Sequence, residues 1–218
     1  MKKTFARILF WDDPRLRTPA EQMACDEALA GVAEAPVLRT YRWAEPAVTF
    51  GYAQRLQNVQ NLANGRPVMR RWTGGGTVFH GHELTLGLAI PASGAFTCLS
   101  SAQIYQAIHE ALLPAIRQIL PNAKLVSLED CRCGPVCFES PVAYDIVAGP
   151  RKILGGALRR SRQGVLYQGS LHADISPLAL AEELADSVSP IQNLPALENA
   201  GAALVSQRYG DPTWLNLR

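Results

Sequence analysis

Two stretches of the 218-residue chain concentrate side chains able to do chemistry. The first runs from Val68 to His80, where the pair Arg70-Arg71 precedes Thr73, the glycine run Gly74, Gly75, Gly76, and then Thr77 and His80. Three consecutive glycines carry an entropic cost, and a fold keeps them where backbone must take positive φ or a ligand lies too close for a Cβ. Apolar residues on both sides predict strand, tight glycine loop, strand, with backbone N–H groups free to cradle an anion or a carbonyl oxygen. An ordinary hairpin turn is the plainer alternative. The two arginines favour the cradle, because guanidinium forks beside it suit phosphate or carboxylate. Neither phosphate-loop pattern is present: no Lys-Ser/Thr follows the glycines, and the dinucleotide spacing is absent. The second stretch holds Cys137 in Gly134-Pro-Val-Cys-Phe-Glu-Ser-Pro, Lys152 in Arg151-Lys-Ile-Leu-Gly-Gly-Ala, and Gln168-Gly-Ser-Leu. Cys137 sits on backbone punctuated by Pro135 and Pro141, and its thiolate could accept an acyl group from a thioester, since exchange between sulfurs is nearly isoenergetic. A buried structural cysteine is the competing reading. Lys152 could favour a thiolate or stabilise developing negative charge, or it could be a surface lysine snorkelling beside Arg151.

The ordered set Arg-Arg-x-Thr-Gly-Gly-Gly-x-Val-x-His, Val-Cys-Phe-x-x-Pro, Lys-Ile-x-Gly-x-Ala and Gly-Ser-Leu spans most of the chain. It resembles the catalytic domain shared by lipoate-protein ligases, biotin-protein ligases and octanoyltransferases, and is most similar to the octanoyltransferases that work through a cysteine acyl-enzyme. The resemblance implies Cys137 as nucleophile and Lys152 in the acyl site. It also implies a substrate-binding set of Arg71, Thr73, Gly74, Gly75, Gly76, Thr77, His80, Gly155, Ala157, Gly169 and Ser170. The implied activity moves an octanoyl or lipoyl group from acyl carrier protein to the lysine of a lipoyl domain, such as glycine-cleavage H protein or a 2-oxoacid dehydrogenase E2. No cofactor is then expected. An ATP-dependent lipoate-protein ligase, which would need ATP and Mg, and a non-catalytic carrier-binding relative are the alternatives. The Val-Cys-Phe segment and the lack of the extra C-terminal domain of many ligases favour the thioester route.

Three positions depart from the resembling pattern. Many relatives follow the loop histidine with aspartate, whereas His80 is followed by Gly81, His82 and Glu83. Leu158 stands where many have glutamine, and Gln168 where a histidine is usual. A histidine ending a strand is also commonly structural.

Cys131, Cys133 and Cys137 could supply three thiolates, but a structural zinc site needs four ligands and usually a Cys-x-x-Cys knuckle, and His172 is the one further candidate. No metal is expected. Five cysteines leave one unpaired, and no export signal argues for an oxidising compartment. A net charge of +2 is no nucleic-acid signature. The apolar N-terminal stretch is too short for a secretion signal or a membrane span, so a cytoplasmic enzyme with no membrane partner is expected.

These candidate residues need elements to hold them. Ile8 to Trp11 reads as the first strand. Thr18-Pro19-Ala20-Glu21 is a capping box opening a helix to about Glu34, with Cys25, Ala28, Leu29 and Val32 inward. Strands are expected at 37–43, 47–52, 67–72 and 84–90. A helix from Ser101 presents Ile104, Ala107, Ile108, Ala111, Leu112, Ala115, Ile116 and Ile119 on one face, with Pro114 predicting a kink or break. Strands at 144–147, 152–159 and 165–173 and a helix from Pro177 to about Val188 follow, and 190–200 reads as irregular. Residues 1–218 thus form one α/β (α+β) domain with a mixed or antiparallel sheet flanked by helices. The resemblance sharpens this to the biotin/lipoate ligase fold. The basic run Arg151, Lys152, Arg159, Arg160 and Arg162 could steer an acidic carrier or guard a strand edge with charge.

Overall fold

A computed structural model describes residues 3–93, 95–131 and 141–217. The N-terminal strand β1 (Ile8–Arg17) outruns the apolar stretch that announces it, and its register on the next strand shifts between Asp13 and Arg17, around Pro14. Helix α1 (Pro19–Val32) opens on the expected capping box, with Thr18 and Glu21 each satisfying the other's backbone N–H. Strands β2 (Val37–Trp43) and β3 (Ala47–Phe50), the short helix α2 (Gln57–Gln60), and strands β4 (Val68–Arg70), β5 (Val78–His80) and β6 (Leu84–Pro91) follow. Helix α3 (Ser101–Ile119) leads through β7 (Lys124–Leu125) to β8 (Ile146–Ala148), β9 (Arg151–Arg160) and β10 (Gly164–Leu171). Helix α4 (Pro177–Leu184), strand β11 (Val188–Pro190) and helices α5 (Leu194–Leu204) and α6 (Pro212–Leu215) complete the order.

Eight strands form a mixed sheet in the order β11-β1-β2-β6-β10-β9-β8-β7, parallel only where β1 meets β11 and β2. A separate three-stranded sheet has β3 between β4 and β5. Helices α3 and α4 cover one face of the large sheet, and α1 with α5 packs on the other. Strict alternation sorts the central strands between these layers. Leu84, Leu86, Leu88 and Ile90 of β6, with Val165, Tyr167 and Leu171 of β10, join the α3 core. Ala89 and Leu166 turn to α1, and Gln168 and Ser170 share that opposite face and line a cavity there.

Several expectations change. Helix α3 runs unbroken through Pro114, which is exposed, so the hydrogen bond it cannot donate falls on the solvent side. Ile119, expected inward, is exposed, as is Val32 at the end of α1. The 190–200 segment is largely helical: Pro195 sits in the first turn of α5, and Gly201 packs beside Cys25 of α1. Its small residues hide an apolar stripe of Leu194, Leu197 and Leu204. Helix α4 stops at Leu184, and the next residues instead form the edge strand β11. Among the described residues, no helix is long and apolar enough to cross a membrane.

Candidate active site

The glycine loop is not a hairpin. Strands β4 and β5 each pair with β3, on opposite edges, so the loop crosses over that strand. Arg70 and Arg71, being adjacent on extended backbone, point to opposite sides. Arg70 is buried and donates to four main-chain carbonyls, those of Tyr52 (2.6 Å), Gln54 (2.7 Å), Trp214 (2.9 Å) and Leu215 (2.8 Å). Arg71 turns towards the loop, donating from Nη2 to the carbonyls of Gly74 (3.0 Å) and Gly76 (2.7 Å) and from Nη1 to Thr49 Oγ1 (2.8 Å). The expected pair of forks facing an anion is therefore corrected. One fork ties down the C-terminal helix, and the other holds the loop's own carbonyls. Gly75 takes φ +82°, and its carbonyl lies so close to Gly51 that a Cβ there would come within 1.9 Å. Gly51 is a requirement that the sequence reading missed.

Beside this loop lies a narrow cavity. Arg71, His80, Lys152, Gly155, Ala157, Gly169 and Ser170 line it, together with Met23, Tyr41, Trp43, Thr49, Val78, Thr85, Gly156 and Gln168. Thr73, Gly74, Gly75, Gly76 and Thr77 are not on its wall. They form the adjoining loop, where Thr73 donates to Gln168 Oε1 (2.7 Å) and Gly75 packs on Ala157.

Lys152 is a buried residue, not a snorkelling one. Its Nζ pairs with Asp145 Oδ2 at 2.8 Å, and its side chain lies across Gly155, where an added Cβ would be 2.0 Å from Cε. Asp145 is held in turn by Tyr105 Oη (2.5 Å) and the N–H of Val142 (2.7 Å). Tyr105 Oη also accepts from the Gly156 N–H at 2.8 Å. Just before Asp145, Tyr144 occupies the left-handed region at φ +70°, and its carbonyl accepts from His109 Nδ1 at 2.8 Å. Burial lowers the pKa of His109 to about 3, so it is a neutral structural ring that accepts at Nε2 from Tyr167 Oη. Asp145 and Tyr105 went unnoticed in the sequence because their link to Lys152 is tertiary.

His80 is also an internal part of the wall. Burial pulls its pKa below the ordinary histidine value against the opposing pull of Glu83, which keeps the ring neutral. Its partners fix the tautomer: Nδ1–H donates to Glu83 Oε1 (2.6 Å), and Nε2 accepts from Thr49 Oγ1 (2.7 Å), which itself accepts from Arg71. Glu83 accepts from the Gly81 N–H as well, and despite its burial it is held below the usual carboxylate range by His80. The carboxylate missing directly after His80 is thus supplied three residues on. Trp43 stacks on the imidazole at 4.0 Å.

Beneath the cavity lies a polar network that the sequence reading did not find. Asp26 of α1 accepts from Arg39 (2.7 Å), Tyr41 Oη (2.9 Å) and Gln168 Nε2 (2.8 Å). Arg39 also bonds Asp13 and Gln22, and both its ion pairs are fully buried. Gly87 on β6 makes room for the Asp26 carboxylate. The departure at Gln168 has a structural reason, since it bridges Thr73 to Asp26. The available signal was an aspartate on the inner face of α1, three residues after Met23. Leu158, the other departure on β9, packs against the α3 core.

Cys137 and Cys133 lie outside the described residues. Cys131 is exposed, and Cys25 is buried, with its thiol pushed up by desolvation. Among the described residues no His, Cys, Asp or Glu cluster could hold a metal. The basic run divides: Lys152 is buried, and Arg159 stacks over Tyr52 (4.7 Å) and Trp72 (4.6 Å), leaving Arg151, Arg160 and Arg162 exposed.

The profile of the lipoyl protein ligase A/B catalytic domain matches residues 18–201. The chain is 32% identical over 176 residues to the octanoyltransferase LipM of Staphylococcus epidermidis, a match covering 73% of this chain and 63% of that protein. It is 31% identical over 219 residues to the LipM of Symbiobacterium thermophilum, covering 93% of this chain and 79% of that one. The chain therefore spans less than two thirds of the length of the first of these relatives. Its fold is shared with protein Ta0514 of T. acidophilum, solved with bound lipoic acid, at a TM-score of 0.71 and 21% identity over 98% of this chain and 100% of that one. The chain belongs to the lipoyl protein ligase A/B catalytic-domain family.

Proposed function

We propose that the protein transfers an octanoyl or lipoyl group from the thioester of acyl carrier protein to the lysine of a lipoyl domain, through an acyl-enzyme on Cys137. Residues 1–218 act in this reading as one catalytic domain. The observation that carries it is an ammonium, Lys152, held by a buried carboxylate at the wall of a cavity that it shares with the apolar side chains of Met23, Trp43 and Val78. The names of its relatives point to octanoyl transfer. The acyl chain would occupy the space among Met23, Trp43 and Val78, and each methylene removed from water there contributes about 0.8 kcal/mol. The charge of Lys152 would meet the thioester carbonyl as it becomes an oxyanion, in a site already organised for it. A thioester carries its own activation, so this transfer needs no nucleotide or metal.

The role of Cys137 is tested by intact mass. Incubation with octanoyl-carrier protein should add one octanoyl group, removable by neutral hydroxylamine. Cys131→Ala and Cys133→Ala should keep the adduct and Cys137→Ala should lose it. An adduct persisting on Cys137→Ala would refute the assignment.

A further inference from the structure

Transfer to a lysine makes a demand that Lys152 does not meet. The acceptor's ε-amine must lose a proton as it attacks the thioester, and a neighbouring group has to take it. Lys152 is committed to Asp145, and withdrawing its charge would leave a buried carboxylate unpaired. The chain has four histidines. His80 uses both ring nitrogens on Glu83 and Thr49, and His109 lies in the α3 core with both nitrogens on Tyr144 and Tyr167. His82 is exposed on the cleft rim.

His172 is placed differently. It follows β10 by one residue, and its N–H donates to the Ile153 carbonyl at 2.7 Å, which extends the ladder and fixes the backbone beneath the ring. Its Nε2 lies 3.3 Å from Ser170 Oγ, two residues back on the same strand face. Ser170 lines the cavity and stands in register with Gly155, across which the Lys152 side chain lies. His172 lines a second cleft, together with Glu83, Arg151 and Leu171. The serine hydroxyl is thus the link between the acyl cavity and an imidazole outside it.

Building on the acyl-enzyme reading, we propose that Ser170 and His172 form the proton relay for the acceptor lysine, which enters by the second cleft. As the amine nitrogen bonds to the thioester carbon, Ser170 Oγ takes the amine proton and passes its own to His172 Nε2. Collapse of the tetrahedral intermediate breaks the C–S bond, and the same proton returns through Ser170 to the departing thiolate. Amide and thiol are the products, with no net proton change on the protein. Burial holds His172 below the ordinary histidine value, opposed by Glu83 and reinforced by Arg151 and Lys152, so the ring is neutral when the amine arrives. Arg42, His82 and Asp174 are the other charged or titratable groups lining that cleft.

The test separates the two half-reactions. His172→Gln should form the octanoyl adduct within about twofold of the wild-type rate. Single-turnover transfer from that adduct to a lipoyl domain at pH 7 should fall about 100-fold. In the variant, as in the wild type, this rate should rise with pH towards the lysine's own value of about 10.4, because the relay acts on an amine that is already neutral. Hydroxylamine, an amine already neutral at pH 7, should discharge the wild-type and His172→Gln adducts equally, which a merely structural defect would not allow. Lipoyl-domain transfer within threefold of wild type, or a parallel loss with hydroxylamine, would overturn the relay. If the wild-type protein forms no adduct, the cysteine reading is refuted. The relay is then judged by the same contrast of lysine against hydroxylamine in steady-state transfer.

Discussion

Replacing Gly155 by alanine should abolish transfer while leaving the fold intact. The new Cβ would lie 2.0 Å from Lys152 Cε and 2.6 Å from Nζ. Ordinary contact begins near 3.4 Å, so the end of the lysine must retreat by about 1.4 Å. That end is flexible, and Gly155 does not use positive φ, so the backbone need not move. Alanine also restricts the unfolded chain, worth about 0.4–1 kcal/mol in favour of folding. Displacing a charge by more than 1 Å from a developing oxyanion costs on the order of 100-fold in rate, or about 2.7 kcal/mol of barrier. Gly156→Ala is the control, because its Cβ would meet the Gln168 carbonyl and the Tyr167 ring at 2.6 Å within packed sheet. Crowding there should cost about 1–3 kcal/mol of stability. The assay is octanoyl transfer to a lipoyl domain beside thermal unfolding of each variant. Gly155→Ala retaining activity within threefold, or losing it only in step with stability, would refute the placement of Lys152.

Three further outcomes are expected. Asp26→Ala takes from Arg39 one of its two buried counter-ions, leaving Asp13, and strips Tyr41 and Gln168 of their acceptor; it should cost about 3 kcal/mol, read from urea unfolding, whereas changes at exposed Glu34 should be silent. His109 should make the protein acid-sensitive. With its pKa lowered from 6.5 to about 3, its contribution is complete above pH 6.5 and fades as pH falls towards 3, amounting to about 2 kcal/mol lost by pH 5. His109→Gln should flatten that slope in urea titrations at pH 5 and 7.5, with His80 and His172, depressed in the same sense, supplying the remainder. Arg70→Lys gives up the fork that holds four carbonyls and should lower the melting temperature while leaving kcat nearly unchanged. Arg71→Lys, by contrast, should release the glycine loop and reduce kcat.

What the sequence disclosed was local. The Thr18-Pro19-Ala20-Glu21 box placed α1 because its hydrogen bonds close within one turn. The ordered motifs placed Arg71, His80, Lys152 and Ser170 around one cavity. Long-range partners were illegible: nothing near Lys152 indicates that Asp145 and Tyr105 fix its charge, and an aspartate on α1 does not name Arg39 or Gln168 as its mates. Helix α5 was missed because Ala, Gly and Pro dilute its apolar stripe of Leu194, Leu197 and Leu204, which weakens the periodicity of large residues. Buried Lys152 also changes one expectation: Lys152→Ala should lose stability as well as activity, because Asp145 is left without its counter-ion.

The central claim is that a thioester, and not a nucleotide, drives the reaction at this site. Purified protein should be mixed with octanoyl-carrier protein and a lipoyl domain, without ATP or Mg, and the acceptor followed by intact mass. Appearance of one octanoyl group on the lipoyl domain, with none formed from free lipoate even when ATP and Mg are added, is the expected result. Failure of that transfer together with lipoate-dependent exchange of pyrophosphate into ATP would contradict it and make the protein a ligase.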